Sequence, residues 1–410
     1  MDPGSASIRP QDDFYRLRRL RTRSPRRSGS GISTNNDTCT TSVKHSLYSS
    51  HWESLKRNLQ CGLRTNLLRF LPDFLQPDCR QWKALEIYED QTRQVFSAAA
   101  DSFEVPPTAW QSQRSAATAE WPELRGGARR ERLDSSHHYG HDVLLKRHAG
   151  MPLIGRPLPL MLEHGLKCSA SAVFEPPRPW MRGFVCMGPH RSEQLRQRYR
   201  LATIEIGPWI CYSRPLMTPT DLNKLRAKLG PTLLVVPSHS WEAVERRTSQ
   251  AACIDAVERI AKSCNYQTVI WLRYWVDAPI KAPPSWIMAC NGHRSNPWFL
   301  DSMRTLLELS DGMASNAFGT HLGYGVALGK PLHWIDVATN QDLSKLTKKQ
   351  ARLEEQEWQT RQHLIEQLCA CSDPQRGASA TELWELLQPY WGLGQQLDPG
   401  ELAARLTNPT

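Results

Sequence analysis

Two short polar segments of the sequence carry side chains suited to holding an anion, and each follows an apolar, strand-like run. One is PSHS (237–240), after TLLVV, and the other is SNAFGTH (315–321), after GMA. Polar groups at the start of a helix lie beside its free N–H groups and the positive end of its dipole, where phosphate binds well. The candidate residues are His239, Ser240, Ser315, Asn316, Thr320 and His321. Their types and positions predict a cradle for a diphosphate or a phosphate-sugar.

The second of these segments is predicted to open a helix. Ser315 or Asn316 is the expected N-cap, and Gly329 fits the C′ position. No Asp or Glu lies in the first predicted turn, which leaves the helix terminus available to an external anion. Gly319 and Gly323 remove side-chain bulk, so that a ligand or a neighbouring strand can approach the backbone. The alternative is that these small residues serve only close packing of the helix on its sheet.

The first segment is predicted to join a strand to a helix in the same way. Residues 232–236 form a continuous β-branched and Leu run, typical of a strand buried on both faces. Ser238 or Ser240 would then cap a helix that extends to about Ala261, with His239 beside its free N–H groups. Both segments should therefore open on the same edge of one sheet.

Strand-like and helix-like patterns alternate from residue 157 onward, which predicts an α/β fold with a parallel, doubly wound sheet. The helix predicted over 218–230 has signals at both ends, with Thr218 as N-cap, Pro219 just inside and Gly230 after its end. We expect this helix to link two domains. The predicted organisation is a disordered basic tail (1–50), an N-terminal domain (51–217) with an irregular insert near 101–140, the linker helix (218–230), a C-terminal domain (231–345) and C-terminal helices (346–410).

The chain is basic overall, with 51 Lys and Arg against 41 Asp and Glu and a net charge of +10. This balance suits an anionic partner such as a nucleotide, a phospholipid surface or a nucleic acid. The 11 cysteines include no C-x-x-C pair, which is typical of a cytosolic protein with reduced thiols. No apolar run reaches the ~20 residues of a membrane span, so we expect a cytoplasmic protein. His137, His138 and His141 are candidates for a shared metal site, but a mobile loop is the interpretation that we favour.

A basic amphipathic helix is predicted over 52–71, with Trp and Leu on one face and Lys and Arg elsewhere. Such a helix can lie on an anionic membrane surface, which would make the protein peripheral on the inner membrane face. The alternative, which we favour, is that the helix packs on the protein's own core. The Arg-rich tail before it could contact RNA or lipid, although a solvated tail without a specific partner is the simpler interpretation.

The succession LLVVPSHS, then LLELSDGMASNAFGTHLGYGVALGKP, resembles the nucleotide-binding half of bacterial GT-B glycosyltransferases of surface polysaccharide synthesis, including capsular and sialyltransferase-like members. LEHG followed by EIGPWICY is similar to the close of their N-terminal, acceptor-side domain. The resemblance covers residues 157–337. It implies two Rossmann-type domains that face a cleft, the N-terminal one here reduced or irregular, because a full run of strands is missing before residue 157.

The resemblance also implies roles for individual residues. The positions that match donor-phosphate contacts are His239, Ser240, Ser315, Asn316 and Thr320. Glu163 or His164 would face the acceptor and take its proton, whereas a core histidine beside the Gly165 turn is the alternative for His164. No D-x-D pair occurs, which suits a metal-independent enzyme without a bound cofactor.

The implied function is transfer of a sugar from a nucleotide-activated donor to a glycan or lipid-linked acceptor. Three alternatives remain at this stage. An inactive GT-B-like remnant would keep the fold without the reaction, and a nucleotide-sugar epimerase is disfavoured by the acid-poor loops. A non-enzymatic nucleic-acid- or membrane-binding protein would depend on the Arg-rich tail. For the transferase, a nucleic acid is not an expected partner.

Overall fold

The computed structural model describes residues 131–409, apart from short gaps at 134, 152–156, 170–176, 241–243, 275–276, 278–279, 292–293, 295 and 374–375. The predictions for the tail (1–50), for the amphipathic helix (52–71) and for most of the irregular stretch (101–140) lie outside the described residues. None of the described helices is both long and apolar enough to cross a membrane.

The described part of the chain alternates strands and helices. The strands are β1 (Leu160–Leu162), β2 (Gly183–Cys186), β3 (Ala202–Glu205), β4 (Thr232–Val235), β5 (Glu245–Thr248), β6 (Thr268–Leu272), β7 (Ile287–Ala289), β8 (Gly312–Ser315), β9 (Leu332–Trp334) and β10 (Thr339–Asp342). The helices are α1 (His141–His148), α2 (Pro189–Tyr199), α3 (Pro219–Leu229), α4 (Gln250–Ser263), α5 (Phe299–Leu309), α6 (Thr320–Ala327), α7 (Lys348–Cys371), α8 (Ala380–Trp391) and α9 (Pro399–Thr407). Short 3₁₀ segments cover Ser135–Gly140 and Trp209–Tyr212.

The larger sheet has five parallel strands in the order β7-β6-β4-β8-β9. Its central strand β4 is buried on both faces, as its continuous apolar run predicts. Leu233 and Val235 pack with α4 on one face, whereas Leu234 packs with α5 and α6 on the other. The prediction of an α/β fold with a parallel sheet covered by helices on both faces is therefore confirmed.

The smaller sheet has three parallel strands in the order β1-β2-β3. The side chain of Leu195 on α2 packs on one face of this sheet with Phe184 of β2. The other face, with Val185, joins the large hydrophobic core that also contains β4 and α5. The two parallel sheets are compatible with Rossmann-like domains. The predicted domain boundaries stay predictions.

Capping signals in the sequence predict several helix ends correctly. Helix α3 begins after Thr218, whose side chain accepts a hydrogen bond from the Asp221 N–H, and it ends at Gly230. Helix α8 has a capping box at Ser379 and Glu382. In both cases the cap is local, so neighbouring residues alone determine it.

Two predicted helix starts are wrong. The strand β8 ends at Ser315 as predicted, but four residues of loop (316–319) follow it, so helix α6 begins only at Thr320, after Gly319. The segment PSHS does not open a helix either. It leads into the short strand β5, which pairs antiparallel with β10, and α4 begins only after Ser249, its N-cap.

The last residues of α8 and the turn after it (389–395) pack against three glycines, two that follow strands of the smaller sheet and one in α6. A Cβ on Gly188, which follows β2, would lie 2.7 Å from the Pro389 carbonyl oxygen, and a Cβ on Gly207 would overlap the Gln395 carbonyl. A Cβ on Gly323 of α6 would overlap the indole ring of Trp391, which is fully buried. The Trp391 Nε1 also donates a hydrogen bond to the Thr320 carbonyl oxygen at 3.0 Å. This turn therefore fixes α6 against the smaller sheet, and Gly323 makes room for an indole rather than a ligand.

We expect Gly323→Ala to destabilise the fold by about 1–3 kcal/mol, because the added methyl group meets a ring that has no space to move. Gly400→Ala is the matched control. It also lies in a helix, but its added Cβ would meet no atom closer than 3.4 Å, so its melting temperature should stay equal or rise slightly. Thermal unfolding of both variants provides the measurement. Equal melting temperatures for Gly323→Ala and the parent would show that the Trp391 contact does not constrain this helix.

Candidate functional site

A pocket lies where the large sheet reverses its order of strand addition. After β4 the chain adds β6 and then β7 on one side, and β8 and β9 then continue on the other side of β4. The loops that follow β4 and β8 lie at this point, at the carboxyl ends of the two strands. In open parallel sheets this switch point is where ligands bind.

The space between the atoms that line this pocket is about 770 Å³, including the part open to solvent. The lining comes from loops after β1, β4, β6 and β7 and from the first turns of α1, α5 and α6. The lining residues are Tyr139, His141, Gly165, Val236, Pro237, His239, Leu272, Arg273, Tyr274, Asn291, Phe299, Leu300, Met303, Thr320, His321 and Tyr324. None of these described residues is an Asp or Glu, so the wall is aromatic and basic.

The two predicted segments meet at this pocket, and hydrogen bonds tie them together. The Ser238 N–H donates to Asn316 Oδ1 at 2.8 Å, and Ser315 Oγ donates to the Val236 carbonyl oxygen at 2.6 Å. Ser240 Oγ accepts the Arg246 N–H at 2.9 Å and so closes its own loop. The prediction that both segments open on one sheet edge is confirmed. Ser240, Ser315 and Asn316, however, use their polar groups within the protein.

His239, Thr320 and His321 line the pocket. The His239 ring stacks on Tyr274 with centroids 4.3 Å apart, and its Nδ1 donates to the Ser240 carbonyl oxygen at 3.1 Å. In the neutral ring, Nε2 then carries the lone pair. His321 Nε2 lies 2.8 Å from Ser315 Oγ. Burial lowers the pKa of His239 to about 4 and the pKa of His321 to about 3.

Arg273 lines the same pocket, and the sequence patterns did not single it out. Its N–H continues the β6–β7 pairing by donating a hydrogen bond to the Ala289 carbonyl oxygen at 3.0 Å, and its side chain is buried. Nη1 makes one long contact, 3.4 Å to the Asp277 carbonyl oxygen, and Nε has no partner in the described part of the chain. A buried guanidinium with so few hydrogen bonds among the described residues is costly, and the nearby Asp277 carboxylate offsets only part of its charge, so an anion in the pocket would stabilise it further.

Two buried acidic side chains near this pocket are paired with arginines outside its lining. Asp301 of α5 is fully buried and accepts two hydrogen bonds of 2.8 Å from the Arg147 guanidinium. Glu163 accepts two from Arg191 at 2.6 and 2.7 Å, and it too is buried. Such bidentate pairs neutralise the carboxylates. They leave the lining of the pocket with a net basic character.

Glu163 and His164 do not line the pocket, although the next residue, Gly165, does. Glu163 is held by Arg191, so a role in proton transfer would require breaking a buried ion pair. The His164 ring lies against His138, with His164 Nε2 3.2 Å from His138 Nδ1. Burial lowers the pKa of His164 well below its usual value. The predicted catalytic role of both residues stays a prediction, and their contacts do not favour it.

A metal site is not formed by the residues that the structure describes, since no group of three His, Cys, Asp or Glu side chains lies close enough to hold an ion. The three histidines considered for such a site separate instead. His137 contacts the backbone of Glu131, His138 contacts His164, and His141 stacks on Trp209. No protein-family model and no curated protein matches the chain.

The buried histidines of the pocket should make stability fall as the pH falls. His141, His239 and His321 have a pKa of about 3 to 4 in the folded chain, because burial disfavours the charged ring, against 6.5 in an exposed one. Below pH 6.5 these histidines therefore become protonated in the unfolded chain, whereas in the folded chain they stay neutral. Each histidine lowers the free energy of unfolding by about 1.4 kcal/mol per pH unit in this range.

Urea unfolding at pH 6.0 and 5.0 measures this slope. His239→Gln should lower the slope by the contribution of one histidine, about 1.4 kcal/mol per pH unit. His363→Gln, which changes a ring exposed on α7, should leave the slope unchanged. An unchanged slope in His239→Gln would mean that His239 is already protonated in the folded chain.

Proposed function

We propose that the protein is a glycosyltransferase that binds a nucleotide-activated sugar in this pocket. The observation that carries the proposal is the buried guanidinium of Arg273, whose Nε has no hydrogen-bond partner in the described part of the chain and which lies in the wall of a pocket at the carboxyl edge of a parallel sheet. Around it the described lining offers imidazoles and aromatic rings but no carboxylate. A diphosphate brings the negative charge that this wall lacks, and a nucleobase suits the aromatic part.

The first turn of α6 supports the same placement of the phosphates. The helix begins at Thr320 with no acidic residue in its first turn, and Thr320 and His321 line the pocket. Free N–H groups and the helix dipole stabilise an anion there. In sugar transfer the leaving nucleotide gains negative charge as its bond to the sugar breaks. Arg273 and this helix terminus would stabilise that charge without a metal ion.

The architecture that we infer is GT-B-like. Loops of both parallel sheets line the pocket, with Gly165 after β1 on one side and His239 after β4 on the other. This arrangement fits a donor held by the larger sheet and a glycan or lipid-linked acceptor that enters from the side of the smaller one. The proposal includes a cytoplasmic location, where nucleotide-sugars are available, and membrane contact through 52–71 as the route to a lipid-linked acceptor.

Arg273→Met tests the proposal. It keeps an unbranched apolar side chain but removes the guanidinium and its charge, so affinity for a nucleoside diphosphate should fall about 10- to 100-fold. The free energy of unfolding without ligand should stay equal or rise, because a buried charge with few hydrogen bonds is lost. Calorimetric titration with UDP, GDP, ADP and CMP identifies the nucleotide. Thermal unfolding supports it, since ligand at 100 times its dissociation constant adds about 2.7 kcal/mol.

Arg259→Gln is the control, because this residue is exposed on α4. It should bind the nucleotide like the parent. Absence of binding by the unaltered chain for all four nucleotides would refute the proposal. Equal affinity in Arg273→Met would move the phosphate site away from Arg273.

A further inference from the structure

One histidine in the pocket wall is buried without a structural hydrogen bond. His141, the first residue of α1, is 1% exposed and lines the pocket. Its Nδ1 has no hydrogen-bond partner among the residues that the structure describes. A buried polar atom without a partner costs about 1–3 kcal/mol, so native proteins seldom keep one that serves packing alone. A ligand in the pocket would be in position to engage this ring.

Packing, rather than hydrogen bonding, fixes the orientation of the His141 ring. It stacks on the indole of Trp209, with centroids 3.8 Å apart and planes 10° from parallel. The chain before it passes through two left-handed residues, Tyr139 (φ +58°) and Gly140 (φ +72°). A side chain on Gly140 would overlap the Pro297 carbonyl group. Only glycine therefore fits at this position of the segment that leads to His141. Left-handed backbone at a non-glycine residue such as Tyr139 tends to occur at functional sites.

His141 belongs to a wall of the pocket different from the one that would hold phosphates. Arg273 and His239 follow strands of the large sheet, whereas His141 comes from α1, which packs on the 3₁₀ segment after β3. A sugar whose phosphates lie against the large-sheet loops would therefore have its reacting carbon between those loops and His141. An acceptor hydroxyl that attacks this carbon must lose its proton on the side away from the leaving phosphate.

We propose that His141 is the group that accepts this proton, an assignment that rests on the glycosyl transfer inferred above. The acceptor oxygen forms a bond to the anomeric carbon as its O–H proton moves to a ring nitrogen of His141. The bond between that carbon and the phosphate oxygen breaks, and its electron pair leaves with the nucleotide. The imidazolium then returns the proton to solvent.

The electrostatics of the pocket suit this role. Burial, with a smaller contribution from the nearby His138, lowers the pKa of His141 to about 3, so that the ring is neutral at pH 7 and one nitrogen carries a lone pair. Asp142 acts in the opposite direction. Phosphates bound in the same pocket would raise the pKa of His141 toward the range in which a general base works best.

His141→Phe separates catalysis from binding and from stability. The phenyl ring keeps the stack on Trp209 but has no proton acceptor. We expect the affinity for the nucleotide found by titration to change less than about twofold, and transfer to water to fall 100-fold or more. Transfer to water is measured as release of nucleotide from UDP-glucose, GDP-mannose or CMP-sialate, whichever carries that nucleotide. The melting temperature without ligand should stay equal or rise, since an unpartnered buried nitrogen is removed.

His148→Phe is the matched control on the same helix. His148 Nε2 contacts the Leu397 carbonyl oxygen at 3.0 Å, outside the pocket, so this variant should release nucleotide at the parental rate. Parental release by His141→Phe would overturn the assignment, and so would a large loss of stability in that variant. Nucleotide binding without any release by the unaltered chain would also overturn it but leave the nucleotide site intact. If the unaltered chain binds no nucleotide at all, both proposals are wrong.

Discussion

Burial of β4 on both faces is the constraint on which the site depends. A strand with Leu and Val directed to both sides requires a layer of helices on each face and a hydrogen-bonded strand along each edge. Because β6 and β8 occupy those two edges, the chain must leave β4 in one direction and return on the other side. The meeting of the loops after β4 and β8 at one edge of the sheet is a direct geometric result. The polar residues placed in those loops then meet, although 78 positions separate Ser238 from Asn316.

The charge of the pocket depends on how the interior neutralises its acids. Asp301 and Glu163 are fully engaged by arginines that come from α1 and α2. Glu357 of α7 is similarly engaged, since it accepts hydrogen bonds from the Cys168 and Ser169 N–H groups and from Arg361. These buried pairs hold elements together and also remove negative charge from the surroundings of the pocket. An interior with the same acids left unpaired would repel a phosphate ligand.

Local signals in the sequence were sufficient for the fold class and for several helix ends. Thr218 and Ser379 cap helices through residues three positions away, so their role can be predicted from neighbours alone. Ser315 has the same capping chemistry, but its hydroxyl bonds to Val236 across the sheet instead. The Ser315 hydroxyl reaches Val236 only because β8 pairs with β4, and no local sequence pattern determines that pairing. The helix start was therefore predicted too early.

The site was only partly predictable for the same reason. His239 and His321 follow strand-like runs, and their position after a strand was a usable signal. The sequence patterns did not mark Arg273 or His141 as part of this pocket. Both stand out only in the folded chain, where a buried nitrogen of each side chain has no hydrogen-bond partner among the described residues. The position of a charged residue directly after β6 could have identified Arg273, since other loops at that edge were already candidates. His141 could not have been found in this way, because its stack on Trp209 joins distant parts of the chain.

The turn after α8 has a consequence for how a ligand reaches the pocket. Residues 389–395 fill notches at Gly188 and Gly207 beside the smaller sheet, and Trp391 fills another at Gly323 beside the larger one. The two sheets cannot swing apart about a hinge unless this turn first leaves its notches and exposes a buried indole to water. Large-scale opening and closing is thus coupled to partial unfolding of the C-terminal helices. A substrate would enter a cleft that is already assembled, through movement of loops rather than of whole layers.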